Sequence, residues 1–579
     1  MTSIHSVVLA GLSHAWPDGT PSLEGIDAAF GTGRTGLIGA NGSGKSTLLR
    51  LIAGALRPTA GTISVAGSVG LLPQRLDPRR SVADLLGVRE RLDALRAIEA
   101  GDTDPRLLEA LEEDWLVESR TEAALAGAGL DGLDLDRRVA EVSGGEAVRA
   151  ALLGMRRAGH DVVLLDEPTN NLDAGSRARL HEDILAWPGT LIVVSHDVAL
   201  LDLMDATAEL REGTISLFGG PYSAFRAHMQ REQEAAEQAV RTAEQHLRRE
   251  KEQRIAAETA LARRRRYART DFENKRRPKT IMKQRGSMAQ VSAGKLRGEL
   301  AGKVEAAEHD LGEQTSRLRT ADRIRIALPD PEVPAGRRLA ELRDARGGAI
   351  LIQGPERIAL RGPNGIGKTR LLRALVAPGA RPDPASADGA EGAQGADGAA
   401  GTQGADGPDG GTGRVGADAV RACAWTDRIG HLAQGLGDLD PGASVLDEVR
   451  AAAPSADVEA VRAQLARFLF RGEDAHRIIG GLSGGERFRV ALARLLLAQP
   501  PHQLLVLDEP TNDLDLDSIE VLVEALEDYR GALLVVSHDE AFLDRLGITA
   551  AYALGPRGLV SAEAAGPDPG APGLRPAGR

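Results

Sequence analysis

The sequence has 579 residues, of which 42% are hydrophobic and 27% are charged. This composition is typical of a folded globular protein, and the length corresponds to about four domain-sized units. The formal net charge is −12. No apolar run approaches the ~20 residues that a membrane-spanning helix needs. These properties exclude a wholly disordered chain and an integral membrane protein.

The N-terminus and the cysteine content indicate the compartment. Residues 1–18 lack the basic start and the long apolar stretch of a secretory signal. A single cysteine, Cys423, excludes an internal disulfide framework and a metal site built from cysteines. We therefore expect a cytoplasmic protein.

The basic residues are unevenly distributed. Residues 261–300 hold 13 Lys or Arg and 3 Asp or Glu, a local charge of +10. Of the 71 basic residues only eight are lysines, and six of these lie between positions 251 and 303. The other two, Lys45 and Lys368, lie in glycine-rich segments.

Those glycine-rich segments match the phosphate-loop pattern GxxxxGK[ST]. The first match consists of Gly39, Ala40, Asn41, Gly42, Ser43, Gly44, Lys45 and Ser46, with Thr47 next. The second match consists of Gly362, Pro363, Asn364, Gly365, Ile366, Gly367, Lys368 and Thr369, with Arg370 next. Each match follows a short apolar strand and precedes a leucine-rich helix, the context in which main-chain amides bind phosphate.

Further motifs occur twice, in the same order. Ser-Gly-Gly-Glu begins at Ser143 and at Ser483, and Asp-Glu follows an apolar run at positions 166–167 and 508–509. Ser-His-Asp contains His196 or His538. The offset between copies is 340 residues for the serines and 342 for both the glutamates and the histidines. Two homologous nucleotide-binding domains account for this repetition.

The offsets also locate an insertion. The two lysines are 323 residues apart, whereas Gln74 and Gln434 are 360 apart. The extra 37 residues coincide with a Gly/Ala/Asp tract at 378–418, which we expect to be a disordered surface loop because it offers little to bury. The Gly/Pro-rich tail at 555–579 is expected to be disordered as well.

Between the repeats, residues 223–322 have few glycines and an apolar spacing typical of helices. Pro278 marks a turn between two long antiparallel helices, with the tip near residues 267–288. The basic side chains at this tip are candidates for binding RNA phosphates. They are Arg263, Arg264, Arg265, Arg266, Arg269, Lys275, Arg276, Arg277, Lys279, Lys283, Arg285, Lys295 and Arg297.

The motif residues predict an ATP hydrolysis site in each half. The loop lysines would contact the β- and γ-phosphates of ATP. The hydroxyls of Ser46 and Thr369 would hold Mg2+ together with Asp166, Asp508, Gln74 and Gln434. Glu167 and Glu509 would polarise the attacking water, while the glutamines sense it and the histidines bond to the γ-phosphate.

The motif order resembles that of ATP-binding cassette proteins across both halves of the chain. Asp-Glu-Pro-Thr-Asn-Asn-Leu-Asp at 166–173, its counterpart at 508–515 and the basic two-helix linker resemble the ABC-F branch. The resemblance implies an α/β fold of two tandem P-loop ATPase domains without a transmembrane domain. We refer to residues 1–222 and 323–554 as the first and second cassette, and to residues 223–322 as the linker.

The resemblance also implies that the cassettes pair head to tail within one monomer. The first site, with Lys45 and Glu167, would then face Ser483, Gly484 and Gly485. The second site, with Lys368 and Glu509, would face Ser143, Gly144 and Gly145. The amides and hydroxyl of a Ser-Gly-Gly turn can approach phosphate across such an interface.

The two sites depart from each other in sequence. Trp16 occupies the place where family members stack an aromatic ring on adenine, whereas residues 321–361 contain no aromatic residue. We therefore predict that the two sites bind and turn over ATP unequally.

The resemblance further implies a ribosomal partner. ABC-F proteins similar to this one bind the tRNA exit site of the 70S ribosome, place the linker tip against the peptidyl tRNA near the peptidyl-transferase centre, and leave after ATP hydrolysis. Our leading hypothesis is ribosomal protection, in which the protein dislodges a ribosome-targeting antibiotic. A general translation factor of the same family is the alternative, and a soluble ATPase subunit of a drug exporter is a distant one.

Overall fold

A computed structural model describes residues 5–170, 172–273, 279–317, 328–344, 348–377, 420–433, 439–512, 514–555 and 558–561. Several predictions fall outside these ranges and have no structural description. They concern the tract 378–418, tail residues 562–579, Pro278, Gln434, Lys275, Arg276 and Arg277.

Packing divides the chain into two compact units. One combines Met1–Tyr222 with Arg323–Arg579, and the other is Ser223–Asp322. Within the described ranges, no helix combines the length and apolar character required to cross a membrane.

The described residues of the first cassette form nine strands and eight α-helices. The strands are β1 (His5–Ala15), β2 (Pro21–Gly31), β3 (Gly33–Ile38), β4 (Ala60–Val65), β5 (Val69–Leu72), β6 (Val162–Asp166), β7 (Thr190–Val194), β8 (Ala206–Arg211) and β9 (Thr214–Phe218). The helices are α1 (Lys45–Ile52), α2 (Val82–Leu85), α3 (Arg89–Glu99), α4 (Pro105–Leu111), α5 (Val117–Gly127), α6 (Gly144–Ala158), α7 (Ala174–Leu185) and α8 (Val198–Leu201), with a 3-10 turn at Val139–Glu141.

The linker unit contains two long helices, α9 (Tyr222–Glu273) and α10 (Lys279–Arg317), of 52 and 39 residues. Only five residues separate them, a span of at most about 22 Å, so two helices of this length that contact each other run antiparallel. Lys251 Nζ of α9 lies 2.9 Å from Glu308 Oε1 of α10. Ala243, Val304 and Ala307 are buried. The apolar spacing therefore produces a narrow, alanine-rich contact.

The second cassette repeats the first. Its strands are β10 (Arg338–Asp344), β11 (Ala349–Gln353), β12 (Arg357–Arg361), β13 (Val420–Ala424), β14 (Ile429–Leu432), β15 (Leu504–Asp508), β16 (Ala532–Val536), β17 (Ala550–Gly555) and β18 (Gly558–Ser561). Its helices are α11 (Lys368–Val376), α12 (Val445–Ala452), α13 (Val458–Arg467), α14 (Gly484–Leu496), α15 (Leu516–Glu527) and α16 (Glu540–Arg545), with 3-10 turns at Gly472–His476 and Ile479–Gly481.

Each cassette contains a three-stranded antiparallel sheet and a six-stranded sheet. The six-stranded sheets have the orders β5-β6-β7-β3-β8-β9 and β14-β15-β16-β12-β17-β18. All neighbours in them are parallel except the last pair. Every residue of β6, β7, β15 and β16 is buried, as expected for parallel strands covered on both faces.

This topology positions the predicted sites. The carboxyl ends of parallel strands meet at one edge of a sheet, where ligands bind. In the first cassette β6, β7 and β3 are neighbours, and the Asp-Glu pair, the histidine and the phosphate loop follow them in turn. The second cassette has the same arrangement on β15, β16 and β12. The predicted fold class, two tandem α/β P-loop domains, is confirmed.

One arginine fastens the ends of two helices to the second sheet. The guanidinium of Arg357 in β12 donates to the carbonyl oxygens of Leu526 at 2.8 Å and Tyr529 at 3.0 Å, at the end of α15. It also donates to the carbonyl of Leu546, just beyond α16, at 2.7 Å. A helix leaves its last carbonyls without intrahelical partners, and this side chain satisfies several at once.

Candidate active site

Both phosphate loops adopt a closely similar conformation. Gly44 and Gly367, the residues before the helices, have φ of 98° and 101°, a region that favours glycine. Lys45 is buried, and its Nζ donates to the carbonyls of Gly39 at 2.6 Å and Ala40 at 3.0 Å. Lys368 donates in the same way to the carbonyl of Gly362. Each ammonium group is therefore held inside a loop whose amides can bind phosphate.

The residues predicted to hold magnesium lie beside these loops. Ser46 Oγ donates to Asp166 Oδ1 at 3.1 Å, and burial raises the pKa of this carboxyl. Both carboxylate oxygens of Asp508 are buried and make no hydrogen bond to the described residues. A hydroxyl and a buried carboxylate at a phosphate loop fit Mg2+, which takes one or two carboxylates plus phosphate oxygens.

The two candidate catalytic glutamates have an unusual backbone. Glu167 and Glu509 directly follow their strands with φ of 51° and 46°, in the left-handed region. Such a conformation costs a non-glycine residue about 1–3 kcal/mol and occurs often at active sites. The amide of Glu167 donates to Val194 O at 2.9 Å, and that of Glu509 to Val536 O at 2.8 Å. These bonds fix each glutamate against the strand that leads to the histidine.

The histidines contact the glutamates as neutral rings. His196 Nε2 lies 3.1 Å from Glu167 Oε1, and His538 Nε2 lies 3.4 Å from Glu509 Oε1. Burial, with a neighbouring lysine, lowers the pKa of both histidines to about 3. Neither ring is charged at neutral pH, so each can donate one hydrogen bond and accept another. Burial also raises the pKa of Glu509 to about 7.

A cavity of about 600 Å³ contains the first site and includes residues of both cassettes. Gly484 and Arg487, from the N-terminal turn of α14, line it opposite Lys45 and Glu167. The full lining is Trp16, Ser22, Asn41, Gly42, Gly44, Lys45, Ser46, Thr47, Gln74, Asp166, Glu167, Asn170, Val194, His196, Gly484 and Arg487. The cavity thus brings the predicted metal and catalytic residues of the first cassette together with most of its predicted loop. The predicted site residues Gly39, Ala40, Ser43, Ser483 and Gly485 are not part of this lining.

A second cavity, of about 610 Å³, contains the second site. Its lining is Leu172, Pro363, Asn364, Gly365, Gly367, Lys368, Thr369, Arg370, Arg373, Asp508, Glu509, Asn512 and His538. Leu172 is the contribution of the first cassette. Among the described residues, positions 143–145 do not line this cavity, so the two cavities differ at the cassette interface.

The Ser-Gly-Gly-Glu motifs begin the helices α6 and α14. The side chain of Ser143 accepts a hydrogen bond from the amide of Glu146, and Ser483 accepts one from Glu486. Each glutamate in turn accepts from the serine's amide, which completes a capping box. These hydrogen bonds fix the first turn of each helix, and Gly484, in the first turn of α14, lines the first cavity.

One bond ties the two cassettes together at the first site. The amide of Asn41, in the first phosphate loop, donates to Asp515 Oδ2 at 2.7 Å. Asp515 also caps α15, accepting from Ser518 N at 2.9 Å. The sequence prediction omitted Asp515 from the site. The repeat of its motif, which places Asp515 342 residues after Asp173, was the signal that could have identified it.

A comparison with protein families matches the ABC transporter family at residues 24–170 and 350–512. The chain belongs to the ATP-binding cassette family. It is 32% identical over 565 residues to the tylosin resistance ATP-binding protein TlrC of Streptomyces fradiae, covering 90% of this chain and 93% of that protein. It is 28% identical to the energy-dependent translational throttle protein EttA of Escherichia coli K12, covering 90% and 88%.

A third relative is the ATP-binding protein Uup of Haemophilus influenzae, which is 28% identical and of which the chain covers 72%. These relatives confirm the resemblance to the ABC-F branch. The predicted activity is also confirmed: the chain is an ATPase.

The two cavities of this ABC-F protein differ in their aromatic residues. Trp16 lies at the first cavity, 37% exposed, with its ring edge-on to His14 at a centroid distance of 5.2 Å. The described lining of the second cavity contains no Trp, Tyr or Phe, and includes Arg370 and Arg373 instead. Among the described lining residues, an aromatic ring is therefore present at the first cavity and absent from the second.

Near the predicted tip of the ABC-F linker, the basic side chains whose burial is described are exposed to solvent. Arg263, Arg264, Arg265, Arg266, Lys295 and Arg297 are exposed. The exposure of the side chains of Arg269, Lys279, Lys283 and Arg285 lies outside the description. Tyr267 and Met288 are 71% and 64% exposed. The linker surface therefore combines positive charge with apolar groups.

Proposed function

We propose that the protein is a ribosome-associated ATPase that works as a clamp. Residues 1–222 and 323–554 are its two cassettes, and residues 223–322 are the linker that contacts the ribosome. The observation that carries this proposal is the first cavity, which one chain builds from both cassettes. A site shared between two bodies allows ATP to hold them closed and hydrolysis to release them.

The roles of the residues follow from their positions. Lys45 and Lys368 leave their loop carbonyls to bind the β- and γ-phosphates of ATP. The Ser46 and Thr369 hydroxyls, with Asp166 and Asp508, hold Mg2+, which offsets the phosphate charge when bound.

Glu167 and Glu509, held by their main-chain bonds to the neighbouring strands, accept a proton from the attacking water. Each neutral histidine then donates to the γ-phosphate. Gln74 and Gln434 orient the metal and the water. Ser483 contacts the phosphates of the first site across the interface, and Ser143 those of the second.

The linker supports a ribosomal partner. Its exposed arginines suit a phosphate backbone, because neutralising several phosphates releases counterions and gives salt-dependent affinity. Duplex RNA is recognised mainly by shape and backbone, which requires little aromatic stacking. We propose that the protein binds the tRNA exit site of the 70S ribosome, with the linker tip directed to the peptidyl tRNA and the peptidyl-transferase centre.

Within this function, we propose that the protein dislodges a ribosome-targeting antibiotic. The similarity to a tylosin resistance protein over nine-tenths of the chain supports this proposal. The similarity to a translational throttle protein favours a second candidate, a general translation factor that acts without a drug.

Sedimentation tests ribosome binding. The Glu167→Gln/Glu509→Gln variant, which should bind ATP without hydrolysing it, is centrifuged with 70S ribosomes through a sucrose cushion at low and moderate salt. We expect pelleting with ATP and none with ADP. The Lys45→Ala/Lys368→Ala variant is the matched control and should stay in the supernatant. Absence of ATP-dependent pelleting at both salt concentrations would remove the ribosome as partner.

Cell-free translation separates the two candidates. If the protein protects ribosomes, the wild type should restore synthesis inhibited by tylosin and leave drug-free synthesis unchanged. A protein that changes drug-free synthesis and fails to restore inhibited synthesis, across tylosin and other peptidyl-transferase inhibitors, would be the general factor.

A further inference from the structure

A single arginine contacts the histidine segments of both cassettes. Arg177 lies in the first turn of α7, just after the Asp-Glu motif of the first cassette. Its Nε is 3.4 Å from Asp197 Oδ2, the residue that follows His196. Its Nη1 donates to the carbonyl oxygen of His538 in the second cassette at 3.3 Å. One guanidinium group thus links segments that belong to different ATP sites.

The carboxylate beneath this arginine is held firmly. The side chain of Asp197 is only 7% exposed, and it accepts a hydrogen bond from Leu200 N at the start of α8. Although burial opposes ionisation, His181 and Arg177 lower the pKa of Asp197. A buried charge of this kind needs its partner, because an unpaired one is costly. Arg177 is therefore fixed on the side of the first cassette.

On the other side, the same positive charge acts on the second site. Asp539, which follows His538, caps α16 by accepting from Phe542 N at 3.0 Å. Burial raises the pKa of Asp539; the charge of Asp197 adds to this rise and that of Arg177 opposes it. Arg177 also counteracts the rise that burial causes in the pKa of Glu509. The arginine therefore interacts with both histidine segments and with the second glutamate.

The arrangement is one-sided. At the offset of 342 residues that relates the cassettes, the position of Arg177 is occupied by Ile519 and that of His181 by Val523. Both aliphatic side chains are buried in the core of the second cassette. At these positions the second cassette thus has no equivalent arginine to offer the first, and this link comes from α7 of the first cassette.

We propose that Arg177 is a positioning residue that couples the two ATP sites. A movement of the His538 backbone when ATP binds or leaves the second site is transmitted through Arg177 to Asp197. It thereby reaches His196 at the first site. Arg177 is joined to Asp197 by an ion pair and to His538 by a hydrogen bond, and couplings between sites typically change affinity by about fivefold or more. The coupling rests on the clamp proposed above.

The test is a four-member cycle in which all turnover comes from the first site. Glu509→Gln leaves a second site that binds ATP without hydrolysing it, and Lys368→Ala leaves one that does not bind. Each is combined with Arg177 or with Arg177→Met. The first-turnover rate and the ATP concentration for half-maximal rate are measured in all four proteins.

With Arg177 present, we expect second-site occupancy to change the first-site parameters by about fivefold or more. With Arg177→Met, the two second-site variants should agree within about twofold. Arg179→Met, an exposed arginine on the same helix, should preserve the full difference. A purely structural role of Arg177 would change all four rates in parallel and leave the ratio intact, which would overturn the proposal.

If Arg177→Met fails to fold because Asp197 loses its partner, a second substitution still tests the proposal. Arg177→Lys keeps a positive charge beside Asp197, but its single ammonium group replaces the fork that reaches both partners. We expect folded protein with the coupling lost; full coupling in this variant would contradict the bridging role. Absence of first-site turnover in both Glu509→Gln and Lys368→Ala with Arg177 intact would overturn the clamp of two ATPase sites, whereas normal turnover with unchanged coupling in both substitutions of Arg177 would overturn only the role of Arg177.

Discussion

Replacing Glu509 by glutamine should stabilise the nucleotide-free protein at high pH. The carboxyl is only 11% exposed, and burial raises its pKa from 4.5 to about 7. One pKa unit corresponds to about 1.36 kcal/mol, so holding the ionised form in the fold costs roughly 3 kcal/mol. The glutamine side chain has nearly the same shape and carries no charge to bury.

The pH window follows from the two pKa values. In the unfolded chain the carboxyl ionises near pH 4.5, whereas the folded chain keeps its proton until about pH 7. Between these values the folded state binds more protons, so the unfolding free energy falls as pH rises. Below this window the wild type and the variant should be about equally stable. Above it the variant should be more stable by roughly 3 kcal/mol.

Urea unfolding of both proteins between pH 4.5 and 8.5, without nucleotide or Mg2+, measures this difference. Glu459→Gln removes a carboxylate that is 80% exposed and serves as the control, with a difference that does not change across the range. A Glu509→Gln advantage that is equal at pH 5 and pH 8, or larger at pH 5, would refute the reasoning.

Three further outcomes are expected. Arg357→Met should destabilise the second cassette by roughly 2–4 kcal/mol, because several buried carbonyls lose their donor; urea denaturation measures this, and an unchanged midpoint would contradict it. Asp515→Ala should raise the ATP concentration for half-maximal first-site turnover about tenfold, since a charged acceptor for a phosphate-loop amide is lost. Asp173→Ala, which removes the equivalent helix cap, should have a smaller effect on that site, and equal effects would argue against the cross-cassette bond. Trp16→Ala should weaken ATP binding at the first site roughly tenfold through lost base stacking, measured with a fluorescent ATP analogue, whereas the exposed Trp115→Ala should bind normally.

The elements and the residues within each site were predictable because they depend on local pattern. The apolar runs of β6 and β15 end at Asp166 and Asp508, and the glycine-lysine loops predict both phosphate cradles. The equal offset of 342 residues between Glu167 and Glu509 established the duplication. Each of these features depends on a short stretch of chain, so its local sequence pattern is enough to predict it.

Contacts between individual residues of the two cassettes could not be predicted from the sequence. The bond from Asn41 to Asp515 joins residues 474 positions apart, and no spacing rule indicates it. Arg177 belongs to no motif. Because the equivalent position in the second cassette is Ile519, a comparison of the two halves does not single out this arginine. In the linker, the spacing of the apolar residues did not predict which of them are buried: Leu296 is 38% exposed, whereas the smaller Ala293 is buried. The register of two packed helices depends on both partners.

The arginine on α7 has a consequence for how such a protein can evolve. Two identical subunits related by a twofold axis must present the same side chain to each other, so any such arginine would occur twice. Duplication within a single gene removes this constraint, because a substitution alters one half and leaves its sister unchanged. Arg177 and Ile519 occupy equivalent positions but differ in chemistry. Such an asymmetric interface can form in a fused tandem and cannot form in a symmetric dimer.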